Sequence, residues 1–236
     1  MARIKSTPRQ IATPSAPTSA TAVPYKPNTL FPENVITSSA LLAFPIVTVI
    51  LSSLLPSDPV KILGYSLPAV ALIQAVNILF TNPAPEPVAK SSGNKKKKQA
   101  KNTVSTTILG LVLSMLLTPF IHLIYVLFGA PVTVSIPATF LLSAHTALLA
   151  LFPILCTYPL DGVTWTNLVA LKAPVTPAYT AALGTIAGAW LGAVPIPLDW
   201  DREWQIWPVT VVFGAYVGNA LGRLVGAVFS GKEKML

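Results

Sequence analysis

The sequence predicts an all-α, polytopic membrane protein with six transmembrane helices. Three observations carry this reading. First, 53% of the 236 residues are hydrophobic and only 10% are charged, with a mean hydropathy of +0.64. A soluble domain carries about 25% charge, and so much apolar surface does not fit inside one water-soluble core. Second, the apolar residues gather in runs of about 20, the length that crosses a bilayer as a helix. Third, the charges are segregated. Threading six spans puts fourteen of the 16 Lys and Arg residues on the side of both termini and of loops 81–103 and 157–177, leaving only Lys61 and Arg202 on the other. By the positive-inside rule, both termini are expected in the cytosol.

Residues 1–34 are polar and interrupted by six prolines, from Pro8 to Pro32. They are expected to form a disordered cytosolic tail. They show no apolar signal core, so the first span would act as its own insertion signal. That span, about 35–55, is free of charge and contains Pro45. The turn Pro56–Pro59 leads into the second span, 62–80, which carries Pro68, Gln74 and Asn77. Loop 81–103 holds the lysine run 95–98 and reads as a disordered cytosolic linker. Between two spans, topology and attraction to anionic lipid explain those lysines better than nucleic acid does. The third span, 104–128, is broken by Gly129, Ala130 and Pro131, and the fourth covers 132–156. A loop, 157–177, precedes the fifth span, 178–197; an acidic, tryptophan-rich turn then leads to the sixth, 206–229, and a cytosolic tail, 230–236.

Glycine recurs every fourth residue in the last two spans: Gly184, Gly188 and Gly192, then Gly214, Gly218, Gly222 and Gly226. That spacing aligns them on one face of each helix, where a missing side chain lets another backbone approach. Two readings stand: the stripes pack on each other, or one receives a partner's helix. At membrane depth lie His122, His145, Gln74, Asn77 and Asn219. Two histidines without a carboxylate make a poor metal site or proton relay, so interhelical hydrogen bonding is the expected role. Arg223, near the cytosolic end of its span, is expected to snorkel. The lone cysteine, Cys156, reads as a small buried hydrophobe. No cofactor or metal is expected.

The turn between the last two spans, from Pro195 and Pro197 through Asp199, Trp200, Asp201, Arg202, Glu203, Trp204 and Trp207 to Pro208, mixes chemistries more densely than any other stretch. Its carboxylates have too few further ligands nearby to hold a divalent cation. The tryptophan spacing predicts a short interfacial helix with one aromatic face, capped by Asp199. The alternative is a docking surface for a partner's lumenal domain or a lipid headgroup.

Gly188–Pro208, GAWLGAVPIPLDWDREWQIWP, closely resembles the signature of the PIG-F family of glycosylphosphatidylinositol (GPI) biosynthesis proteins, as do Phe128–Pro131 and Thr139–Pro153. The resemblance covers roughly the second half of the chain. It implies an endoplasmic reticulum membrane protein without catalytic residues. Such a protein associates with, and stabilises, the catalytic ethanolamine phosphate transferases that modify the second and third mannoses of the GPI anchor. In that setting Gly184, Gly188, Gly192, Gly214, Gly218 and Gly222 would pack against partner helices, and the turn would lie under the partner's lumenal domain or near the glycolipid headgroup. A lipid-handling enzyme, with the acidic turn acting on phosphoethanolamine lipids or His122 and His145 lining a lipid path, is the second reading. A transporter is the third, disfavoured by the lack of a mid-membrane charge pair.

Overall fold

A computed structural model of the chain describes residues 58–81, 103–198 and 202–232. The expected tail 1–34, the first span 35–55, most of the lysine-rich loop, the last four residues, and Asp199, Trp200 and Asp201 lie outside them. The described residues are helical throughout, without a strand.

Helix α1 is Pro59–Thr81, with Asp58 capping it: the Lys61 amide donates to Asp58 Oδ1 at 3.1 Å, and the Lys61 ammonium sits 2.8 Å from Oδ2. Helix α2 is Thr103–Leu127. It ends in a Schellman motif, in which Ala130 donates to the Tyr125 carbonyl and Gly129 to that of Val126. Gly129 takes φ +99°, a region that suits a residue without Cβ. The break after α2 is longer than the expected three-residue turn, because the next helix starts only at Ile136, with Pro137 in its first turn.

The fourth expected span is one continuous rod built of three pieces: α3 (Ile136–Thr146), a π-helical turn (Ala147–Leu151) and α4 (Phe152–Thr157). It is the hub of the molecule. In its most apolar 18-residue stretch, 83% of the Ile136–Thr157 span is buried, against 22% in the corresponding stretches of α1 and α2. Helices α1 and α2 lean on one side of the hub, and α6 (Pro177–Ala193) and α7 (Val209–Lys232) on the other. Cys156, buried in the hub, packs its sulfur where a Cβ on Gly110 of α2 would stand.

Among the described residues, four helices are long and apolar enough to cross a membrane: α1, α2, the Ile136–Thr157 rod and α7. The fifth expected span, α6, has 17 helical residues and then unwinds into turns from Val194 instead of continuing to Pro197. Thr176 caps it by accepting from the Tyr179 amide at 3.3 Å, and Pro177 follows as its first residue. Between the rod and α6, the segment read as loop contains a helix, α5 (Gly162–Val169). Asp161 caps it through the Thr164 amide and hydroxyl, both at 2.8 Å. The Tyr179 hydroxyl ties its end down by donating to the Leu168 carbonyl at 2.7 Å.

Candidate functional site

The two glycine stripes face each other. A Cβ on Gly188 would lie closer than 3.0 Å to the Gly214 carbonyl carbon, and one on Gly184 equally close to that of Gly218. Gly192 meets the Thr210 backbone, Gly222 the Thr180 backbone and Gly226 the backbone of Pro177. Helices α6 and α7 are therefore in backbone contact along their whole shared length. Of the two readings the sequence left open, the contacts within the chain show the first: Gly184, Gly188, Gly192, Gly214, Gly218 and Gly222 allow a close approach of α6 to α7. Without a hydrophobic drive between helices in lipid, dispersion between such closely placed backbones is what holds the seam.

Beside the seam runs a groove of about 900 Å³, floored by these six glycines and walled almost wholly by apolar side chains. It extends from Trp204 and Val209 at one end to Thr180 and Val225 at the other. Thr210 lines it, and its Oγ1 is shielded from solvent with no hydrogen-bond partner among the described residues.

On the core side of the seam lies a polar cluster that ties four elements together. Pro153 supplies no N–H, so a carbonyl about one turn earlier in the rod has no helical donor, and the π-turn shifts the bonding there. The Leu148 carbonyl accepts from Gln74 of α1 at 3.1 Å, and the Leu149 carbonyl from Asn219 of α7 at 3.0 Å. The same Asn219 amide reaches Thr185 of α6 at 2.9 Å. Arg223 joins the two amides: Nε donates to Asn219 Oδ1 and Nη2 to Gln74 Oε1, each at 2.9 Å. Arg223 is only 6% exposed. The expected snorkelling is wrong, because two amide oxygens hold the guanidinium inside. The signal was legible: Asn219 and Arg223, four apart in an apolar helix, share one face. Nothing in the local sequence marked Thr185 as their partner.

His145 makes a second junction nearer the other end of the bundle. The Leu63 carbonyl can only accept, so Nε2 donates to it at 3.1 Å; in the neutral ring Nδ1 then accepts from the Tyr216 hydroxyl at 2.7 Å. The interhelical role expected for His145 and Asn219 is what the contacts show. His122 differs. Its ring stands 6.0 Å from that of Phe140 at 55°, and its shielded Nδ1 has no hydrogen-bond partner among the described residues.

The turn linking α6 and α7 is not the expected helix with one tryptophan face. Of its residues, Asp199, Trp200 and Asp201 lie outside the described ones. The rest form one 3₁₀ turn, Glu203–Gln205, after which Ile206 is extended. Trp204 and Trp207 part company: Trp204 is exposed on the groove, whereas Trp207 turns inward and donates from Nε1 to Thr139 of the rod at 2.9 Å. The residue that closes the turn is Gln205. Its side chain donates to the Pro195 carbonyl at 2.9 Å and the Leu198 carbonyl at 3.2 Å, and accepts from the Arg202 amide at 3.1 Å. An amide donates and accepts at once, as this turn requires, whereas an ionised carboxylate only accepts and a guanidinium only donates. Pro195 and Trp204 border the groove; Pro197 is exposed.

A family model described as GPI biosynthesis protein family Pig-F matches residues 39–227. The glycosylphosphatidylinositol anchor biosynthesis protein 11 of Neurospora crassa is 44% identical over 188 residues, covering 76% of this chain and 69% of the relative. The protein of the same name from Yarrowia lipolytica is 36% identical over 177 residues, 75% of each chain. The human protein named GPI ethanolamine phosphate transferase, stabilizing subunit, is 31% identical over 148 residues, covering 60% of this chain and 67% of the relative. No solved structure matches.

Proposed function

Because the chain belongs to the PIG-F family of GPI biosynthesis proteins, we propose that it is a non-catalytic subunit that stabilises the ethanolamine phosphate transferases acting on the second and third mannoses during GPI-anchor assembly. The observation that carries this reading is the human relative's name, a stabilising subunit of such a transferase. The geometry favours it too. Gln74, His145, Asn219 and Arg223, the polar side chains at the centre of the bundle, are engaged in joining helices, which is the work of a scaffold.

The protein sits in the endoplasmic reticulum membrane with six spans and both termini in the cytosol, a topology supported by the partition of lysine and arginine. The turn Pro195–Trp207 then faces the lumen, where it meets the partner's lumenal side or the glycolipid headgroup. The glycines serve the partner indirectly, by fixing the angle at which α6 and α7 present that turn.

The test is depletion of this chain in cells. Transferase abundance is expected to fall severalfold, with accumulation of GPI intermediates that lack ethanolamine phosphate on those mannoses. Unchanged transferase levels, or transfer by the purified chain alone, would overturn the proposal.

A further inference from the structure

We propose that the outward face of α5, with Leu160 before it and Leu171 after it, is immersed in the bilayer at the boundary between headgroups and acyl chains. The helix would then anchor the segment between the rod and α6 to lipid. Its inward face is already occupied. Leu168 is buried in one cluster with Ile154 of the rod, Tyr158, and Tyr179 of α6, and Trp165 packs against that cluster. The opposite face carries Gly162, Val163, Thr166 and Val169, all exposed, and Val169 is 81% exposed. A helix between a core and water places charged and polar side chains on that side. Here the face holds one hydroxyl, and it is spent inside the helix: Thr166 Oγ1 donates to the Gly162 carbonyl at 2.7 Å.

The end of α5 points the same way. The Leu171 amide donates to the Leu168 carbonyl at 3.3 Å, and the Lys172 amide to that of Asn167 at 2.8 Å. That is a Schellman motif, in which the residue at Leu171 takes a left-handed backbone and glycine fits best. Leucine stands there instead, at φ 57°, with its side chain exposed. A strained backbone that holds an apolar side chain away from the protein gains nothing in water. It gains transfer energy if the side chain enters lipid. Lys172, also exposed, follows directly, and its long stem lets the ammonium reach the headgroups while Leu171 goes deeper.

The depth of α5 decides what lies against this face. Gly226 of α7 meets the backbone of Pro177, and Gly222 that of Thr180, so the first turn of α6 stands beside the last turns of α7. The apolar span of α7 runs on to Phe229, past that level, and Val225 and Val228 are exposed there. Tyr179, in the same first turn of α6, fastens α5 through the Leu168 carbonyl, and Tyr158 pairs with Thr176 at 2.7 Å. From the other side, the 22 residues of the Ile136–Thr157 rod reach about 33 Å, against a hydrocarbon layer of about 30 Å. Both neighbours therefore hold α5 at the edge of that layer. Its outward face continues the lipid-facing surface of α7, and the bilayer itself is the apolar partner within reach.

The test uses the purified full chain in vesicles of phosphatidylcholine and phosphatidylserine. In a Cys156→Ser background, a polarity-sensitive dye is attached to cysteine at Val169, Leu171 or Lys172. Quenching is measured with a spin label on the upper acyl chain and, separately, with dissolved iodide. The ratio of lipid to iodide quenching is expected to be several-fold higher at Val169 and Leu171 than at Lys172, which controls for the dye's own affinity for lipid. Equal ratios at the three positions overturn the proposal, as does iodide quenching that dominates at all of them, the result for a face reserved for another protein. Blue-shifted emission that neither quencher reaches, the result for a second copy on this face, overturns it too. No transferase is present in these vesicles, so the outcome is independent of the stabilising role.

Discussion

Two regions of this bundle hold helices together by opposite means. At the α6–α7 seam side chains are absent: glycine meets glycine, and backbone lies on backbone. At the junction of α1, the hub and α7, long polar side chains bridge helices that stand further apart, through Gln74, Asn219 and Arg223. The first joint works by shape. It is dense and directionless, and tolerates no added volume. The second works by pairing. It tolerates volume, but leaves buried polar groups unmet when one member is lost. A membrane protein needs both, because lipid provides no hydrophobic drive for either.

If the seam is a shape joint, the smallest added group should cost the most. Gly188→Ala puts a methyl against the Gly214 carbonyl and the Gly218 α-carbon, with only backbone to yield. Overpacking costs about 1–3 kcal/mol, and the absence of a movable side chain puts this case near the upper end. Gly64→Ala is the control. Nothing lies within 4 Å of its Cβ, so stability should hold or rise slightly. Thermal unfolding of the purified full chain in detergent compares them. Equal melting of both variants would show that the seam has slack and would remove half of the contrast.

If the junction is a pairing joint, Asn219→Leu should cost less than Gly188→Ala yet more than an average membrane hydrogen bond. Such bonds are worth about 0.6 kcal/mol on average and about 1.7 at most. Asn219 serves the Leu149 carbonyl, Thr185 and Arg223 together, so a loss near about 1.7 kcal/mol is expected. The same unfolding measurement reads it. A loss exceeding that of Gly188→Ala would reverse the ranking and make pairing the stronger of the two joints.

The two joints were not equally legible in the sequence. The glycine spacing announced close packing, and left open only what would fill it; the answer required knowing that α6 and α7 run side by side. The junction was half visible. Asn219 and Gln74 stood out as polar groups in apolar runs, whereas Arg223 was misread because a cation near a helix end has a cheap route to the interface. The signal not used was Pro153, whose missing N–H leaves a carbonyl about one turn earlier in the rod without a helical donor. The turn failed for a different reason. Spacing of i, i+4, i+7 implies a helical face only if the backbone is helical, and here Gln205 locks a 3₁₀ turn that sends Trp204 and Trp207 apart. Helix α5 was missed because it is only eight residues long and announces itself by a cap rather than by periodicity.

That cap supplies the smallest expected effect and the baseline against which both joints are judged. The Asp161 carboxylate is fully exposed, and the Thr164 amide and hydroxyl that it accepts from hold its pKa below the ordinary 3.8. A lowered folded pKa means that the cap stabilises α5 above the unfolded value and is lost only as pH falls through the folded one, so the contribution is complete at neutral pH and disappears below 3.8. Asp161→Ala should therefore speed amide exchange in Gly162–Val169 at pH 7 and leave the melting of the bundle unchanged, because Tyr179 still fastens the far end of α5 to α6. If global melting falls as well, α5 is coupled to the membrane helices. The seam and the junction would then no longer be independent of the loop that leads into α6.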